Sequence, residues 1–105
     1  MRDEIRGGLQ YVVLIAPQKK KNSFLSLLHE FGGHGIETVY GHGSVSQSAL
    51  AAAFGLEAEQ GRVMISALLR REKAEELMEV LYRDHKFSEP NTGIAFSVAV
   101  EGLAF

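Results

Sequence analysis

The feature that most constrains the fold of this chain is the order in which short apolar strands and amphipathic helices follow one another. Four segments are rich in β-branched and alternating apolar residues, and two segments repeat apolar residues at helical spacing. The predicted order is β-α-β-β-α-β, with strands at 9–16, 36–40, 61–69 and 93–100 and helices at 23–31 and 72–84.

The first helix has the clearest start and stop signals. Asn22 or Ser23 is expected to cap its N-terminus, and Gly32-Gly33 is expected to end it with a left-handed turn. Between them, apolar residues recur at the i, i+3, i+4 and i+7 positions of one helix face: Phe24, Leu27, Leu28 and Phe31.

This element order is that of the split β-α-β, or ferredoxin-like, fold of the α+β class. The fold has a four-stranded antiparallel sheet with both helices on one face. A chain of 105 residues suits one domain, so we expect residues 1–105 to form it. Strands one and three should lie in the middle of the sheet.

Both faces of the predicted sheet are apolar, although two helices can cover only one of them. In strand one, the row Tyr11, Val13 and Ile15 backs onto the row Val12, Leu14 and Ala16. In strand three, one face carries Val63, Ile65, Ala67 and Leu69, and the other face carries Met64, Ser66 and Leu68. We therefore expect the helix-free face to be buried by self-association.

Composition excludes several classes of function. Eleven basic and thirteen acidic residues give a net charge of −2, which offers no overall positive field for nucleic acid. The chain has no cysteine, so disulfides, thiolate metal sites and thiol nucleophiles are excluded. No apolar run approaches the roughly 18 residues of a membrane span. A soluble cytoplasmic protein without membrane insertion is expected.

Few residues suggest metal binding or catalysis. None of the four histidines has another histidine four residues away on a helix, so no metal site is predicted. His29 and His85 are interpreted as solvated surface residues, whereas His34 and His42 border glycine-rich turns. No nucleophile has a base placed by a known motif, so we do not predict an enzyme.

Two glycine-containing turns are the better candidates for a ligand site. Gly41-His42-Gly43-Ser44 follows strand two, and Asn91-Thr92-Gly93 precedes strand four. Their backbone N–H groups are able to line an anion-binding recess, and the alternative is that the glycines only satisfy turn geometry. The turns belong to opposite sheet edges and would meet between neighbouring subunits. Lys19-Lys20-Lys21 is interpreted as a solvated loop, with the steering of an anion as the alternative.

The segments 36–43, 62–69 and 92–96, together with the long loop and the amphipathic helix between them, resemble the PII family of nitrogen-regulatory signal transducers and its PII-like relatives. The resemblance spans 9–100. It implies a trimer with the sheets facing inward and a ligand cleft between adjacent subunits. It also implies a partner-binding T-loop at 44–60 and a B-loop at about 87–93.

The chain departs from the main family at several ligand positions. Ser44-Val45 replaces an arginine and a glutamine, Ile94 replaces a phosphate-holding lysine, and residues 100–105 contain no basic pair. Arg62 matches a basic residue of the family. The T-loop contains no tyrosine, so tyrosine uridylylation is not expected.

The resemblance therefore implies a PII-like sensor whose small-molecule ligand is unknown, with an adenine nucleotide as the first candidate. The expected cleft residues are Gly41, His42, Gly43, Ser44, Arg62, Asn91, Thr92 and Gly93. The expected partner-binding residues of the T-loop are Ser46, Gln47, Ser48 and Phe54. The alternative function is a metal-binding trimer similar to the copper-tolerance proteins, with His34 and His42 as ligands.

Overall fold

The strands and helices follow the predicted β-α-β-β-α-β order. The computed structural model describes residues 8–40, 61–89 and 92–101. The elements are, in chain order, β1 (Leu9–Pro17), a 3-10 turn (Gln18–Lys20), α1 (Lys21–Glu30), β2 (His34–Tyr40), β3 (Arg62–Arg70), α2 (Arg71–Arg83) and β4 (Ile94–Val100). None of the helices in these ranges is long and apolar enough to cross a membrane.

The four strands form one antiparallel sheet in the order β2-β3-β1-β4. β1 and β3 are the central strands, as predicted. Pro17 pairs with Arg62, Ile15 pairs with Ile94, and Tyr40 pairs with Val63. The ends of β1 and β2 and the beginnings of β3 and β4 therefore lie together at one end of the sheet, which we call the loop end.

Both helices pack on the same face of the sheet, because alternate strand residues supply one continuous apolar layer beneath them. The largest fully buried side chains of this layer come from both central strands and both helices: Leu14, Ile65, Leu69, Phe24, Leu28, Leu77 and Leu81. The prediction of two helices on one face is confirmed.

The ends of α1 differ in how well they follow the sequence signals. The predicted cap by Asn22 or Ser23 is wrong: the 3-10 turn leads directly into α1, Lys20 occupies the cap position, and no side chain caps the helix. The other end is as predicted. Gly32 has a φ of +78°, and the Gly33 N–H donates to the Leu28 carbonyl oxygen at 2.8 Å.

β2 begins two residues earlier than its alternating pattern predicts. Its pairing with β3 shifts between His34 and Glu37, and Gly35 within this irregularity has a φ of +60°. The extra length comes from this bulge, which alternation cannot reveal because a bulged residue breaks the two-residue period.

Candidate functional site

The loop end is where the segment 41–60 leaves β2 and returns to β3. Gln18, at the start of the 3-10 turn, fixes the returning chain. Its backbone N–H donates to the Gly61 carbonyl oxygen at 3.2 Å, and its Nε2 donates to the Arg62 carbonyl oxygen at 3.4 Å. The β1–α1 connection and the first residues of β3 are thus held together.

Arg62 brings a positive charge into this end of the sheet. It is the first residue of β3 and is only 4% exposed. Strand alternation places it on the same face as Met64, which is the face without helices. A guanidinium stays protonated, and a buried charge is retained where hydrogen bonds or opposite charge accompany it. The structure thus places the predicted cleft residue Arg62 at the loop end as a buried cation.

Gly93 lies in a tight contact between the chain before β4 and the centre of the sheet. A Cβ atom at Gly93 would lie 2.7 Å from Cζ of Phe87 and 3.0 Å from the carbonyl oxygen of Ile15. Packing alone therefore requires glycine here, whether or not a ligand approaches its N–H. Thr92, the preceding predicted site residue, is half-buried.

Aromatic contacts tie the chain before β4 to α1. The ring of Phe24 packs edge-on against Phe87 with 5.6 Å between centroids, and lies 5.4 Å from the ring of His85. His85 is half-buried and packs on Phe24, so it is partly rather than fully solvated. His29 is exposed, as expected.

Lys21 and Tyr40 form a contact that sequence reasoning missed. Lys21 Nζ donates to Tyr40 Oη at 2.6 Å, and the ammonium lies 5.2 Å from the centroid of the same ring. Tyr40 is directly followed by Gly41, so the contact lies at the base of the segment 41–60. No local signal predicts it, since the two residues are nineteen positions apart.

The two predicted halves of the site belong to opposite edges of one subunit. Tyr40 ends edge strand β2, whereas Gly93 precedes edge strand β4, with β3 and β1 between them. Three strand spacings separate these edges, about 14 Å. The remaining predicted residues lie outside the described residues: Gly41, His42, Gly43, Ser44 and Asn91 of the cleft, and Ser46, Gln47, Ser48 and Phe54 of the loop.

The metal-binding alternative gains no support from the described residues. His34 begins β2 and lies about 20 Å along the strand from Tyr40. His42 is outside the described residues. Within 8–40, 61–89 and 92–101, no three His, Asp or Glu side chains come close enough to hold a metal ion.

The sheet face without helices, which we call the open face, is apolar as the strand patterns predicted. Its centre is a cluster of Val13, Ile15, Met64, Ile94 and Phe96. Large apolar side chains at its margins are exposed: Tyr11 by 41%, Val39 by 40% and Val98 by 52%. Val13 and Ile15 at its centre are buried within the chain, and Ser66 and Glu37 lie on the same face, so its exposed apolar surface is found at Tyr11, Val39 and Val98.

Comparison with known proteins identifies the architecture. No family model and no curated protein sequence matches the chain. Among solved structures, CPII from Thiomonas intermedia K12 bound to ADP, AMP and acetate has a TM-score of 0.63 and 20% identity, with 90% of each chain covered. A PII-like signaling protein from Thermus thermophilus has a TM-score of 0.63 and 14% identity, over 89% of this chain and 86% of that one. The chain has the PII-like fold.

A third similar structure is the GlnK–ATP complex of Bacillus subtilis, with a TM-score of 0.57 and 16% identity over 90% of this chain and 83% of that one. The resemblance to PII-like proteins carried by 36–43, 62–69 and 92–96 is thus confirmed in the fold. In this chain, the long segment 41–60 joins edge strand β2 to central strand β3.

Proposed function

We propose that this chain is a PII-like regulatory protein that forms a trimer, binds a small ligand between subunits and acts on a protein partner through the segment 44–60. The first candidate ligand is an adenine nucleotide. Similar solved structures are named as a nitrogen regulatory PII-like protein and as a PII-like signaling protein. Of the structures compared above, one is bound to ADP and AMP and another is a complex with ATP. The proposal assigns no catalytic step and treats residues 1–105 as one domain.

The open face is the observation that carries this proposal. Complete burial of a valine, isoleucine, methionine or phenylalanine side chain contributes about 1.5–3 kcal/mol. Tyr11, Val39 and Val98 are each roughly half exposed, so covering them and their neighbours would contribute several kcal/mol per subunit. That is a sizeable fraction of the about 5–15 kcal/mol stability of a small domain. Identical chains that pack these faces together would gain this energy.

A ring of identical subunits would also complete the cleft. A head-to-tail arrangement that closes on itself brings one edge of each subunit against the other edge of its neighbour. Tyr40 and the residues after it would then face Thr92 and Gly93 of the next subunit. In the assembled cleft, Gly41, Gly43 and Gly93 would give access to backbone N–H groups, and Arg62 would supply charge.

Hydrogen-bonding groups complete the proposed cleft, with Ser44, His42, Asn91 and Thr92 as its side-chain donors and acceptors. A ligand bound there contacts the base of the segment 44–60. If the ligand binds one arrangement of that segment more tightly than another, the populations of the two arrangements shift. The shift changes how the partner-binding residues contact a partner: Ser46, Gln47, Ser48 and Phe54. This is the proposed route from ligand to regulation.

Calorimetric titration with AMP, ADP, ATP and cyclic nucleotides tests the ligand, and two substitutions in β4 test the location of the cleft. Val98→Asp puts a charge on the open face, whereas Ala99→Asp puts the same charge on an exposed position of the opposite face. The proposal predicts that Val98→Asp abolishes both the trimer and nucleotide binding, and that Ala99→Asp retains both.

The absence of heat with every nucleotide would contradict the nucleotide part of the proposal. Retained nucleotide binding by a monomeric Val98→Asp chain would place the ligand within one subunit and contradict the intersubunit cleft. Elemental analysis of the purified protein addresses the copper-tolerance-like alternative, which predicts a stoichiometric metal.

A further inference from the structure

Three consecutive lysines, Lys19, Lys20 and Lys21, form a concentration of positive charge that the proposed function does not yet use. Lys19 and Lys20 lie in the 3-10 turn and are exposed, and Lys21 is the first residue of α1. We call these residues the lysine run. Gln18, immediately before them, is the residue that holds Gly61 and Arg62. The run therefore lies at the loop end.

The lysine run is attached to the edge of the sheet from which the segment 41–60 departs. Lys21 Nζ donates to Tyr40 Oη at 2.6 Å, and Tyr40 precedes Gly41 directly. An ammonium group has three N–H donors, so two remain available after this hydrogen bond. Lys21 is thus held beside the proposed cleft, and two of its N–H donors are available to a ligand.

The charge of the run is not balanced by neighbouring carboxylates among the described residues. The first turn of α1 contains no acidic residue. The ion pairs found in the described part of the chain, Arg70–Glu72 and Lys73–Glu76, lie at the start of α2 instead. Lys19 and Lys20 are both exposed, and an anion that binds beside them would offset their charge.

On the other side of the proposed cleft, the residues at the start of β4 carry no charge, and the cation of the described segment 85–89 is Lys86. Thr92 and Gly93 before β4, and Ile94 at its start, are uncharged. Within the ranges that the structure describes, the cations near the base of the segment 41–60 are the buried Arg62 and the lysine run. A nucleoside di- or triphosphate carries several negative charges, and its binding requires cations to offset them.

We propose that the lysine run is the phosphate-binding side of the cleft and that it selects nucleotides with two or three phosphates. Lys19 and Lys20 contact the terminal phosphate, and Lys21 contacts the phosphate nearest Tyr40. This inference rests on the proposed function, since it names the group in the same cleft that recognises the nucleotide. Flexible lysine side chains act as point charges and suit phosphate oxygens without requiring a fixed fork geometry.

Calorimetry with AMP, ADP and ATP on charge-neutral variants tests this assignment. The variants are Lys19→Gln with Lys20→Gln, and Lys21→Gln alone. The control is Lys73→Gln, because Lys73 is an exposed lysine on α2, in an ion pair with Glu76 at 3.6 Å. The ADP dissociation constant should rise on the order of tenfold in the double variant, because charged hydrogen bonds are lost. The increase should be larger for ATP and smaller for AMP, and the control should bind all three like wild type.

The outcomes separate this inference from the proposed function. If wild type binds ADP and the lysine-run variants bind it as tightly as Lys73→Gln does, the inference is overturned while the nucleotide-binding proposal stands. If the double variant weakens AMP and ATP equally, phosphate-number selection by this run is overturned. If wild type binds none of the three nucleotides, both proposals fail together. Far-UV circular dichroism of every variant confirms that the fold is kept.

Discussion

Gly93 occupies a point where the chain before β4, the ring of Phe87 and the backbone of β1 leave no space for a side chain. A Cβ atom there would lie 2.7 Å from Phe87 Cζ and 3.0 Å from the Ile15 carbonyl oxygen. The ring can shift, but the strand backbone cannot do so without disturbing the central pairing of β1. We predict that Gly93→Ala lowers the free energy of unfolding by about 1–3 kcal/mol, the usual cost of overpacking.

Urea unfolding at fixed protein concentration measures this effect, and Gly61→Ala is the matched control. A Cβ at Gly61 would meet only the end of Gln18 at 3.5 Å, an ordinary contact. Gly61→Ala should therefore change the unfolding free energy by no more than about 0.5 kcal/mol. Equal effects of the two substitutions would contradict the packing account of Gly93.

Individual site residues were predictable from sequence only where a pattern marks them. Arg62 was proposed as a site residue because it lies at the start of an apolar strand in a family-like position, and the structure buries it at the loop end. Lys21 and Tyr40 were not identified as a pair, since nothing in their spacing brings residues of α1 and β2 together. Long-range contacts of this kind depend on the tertiary packing.

At the scale of elements, α1 is connected to the chain before β4 through one side chain. Phe24 is fully buried and packs against both His85 and Phe87. We predict that Phe24→Ala destabilises the protein by about 3–5 kcal/mol, the usual cost of such a truncation. It should also increase amide exchange selectively in 85–89, where the Phe87 N–H donates to the Leu81 carbonyl oxygen at 3.0 Å.

Hydrogen exchange read out by mass spectrometry measures this selectivity. Phe31→Ala is the control, because Phe31 is a partly buried aromatic residue at the other end of the same helix. It should destabilise the protein less and leave 85–89 no more affected than the rest of the chain. A uniform increase of exchange in the Phe24→Ala protein would show that α1 and this chain segment are not specifically coupled.

The elements themselves followed from periodicity, because each helix and each central strand has one row of residues that must face the same core. The ends of the helices and strands were predicted less well than their existence. The cap of α1 was misplaced because a 3-10 turn precedes the helix, and the start of β2 was missed because a bulge interrupts its alternation. Both are features in which local hydrogen bonding, rather than apolar spacing, sets the boundary.

In the whole molecule, the proposed assembly depends on the open face and on what covers it. The sequence predicted this face because residues of both parities in β1 and β3 are apolar, and the structure places Val13, Ile15 and Met64 together on it. A single chain contains neither the partner that would cover this face nor the cleft that a ring of subunits would form. In the proposed assembly, the predicted ligand residues would form a site only where two subunits meet.

Sedimentation equilibrium of the wild-type protein at micromolar concentration measures whether the chain forms the proposed trimer. Burial of the open face between identical chains predicts a single species with three times the mass of the chain, stable on further dilution through the micromolar range. A clean monomer over that range, with Tyr11, Val39 and Val98 left in water, would contradict the trimer and the cleft between its subunits.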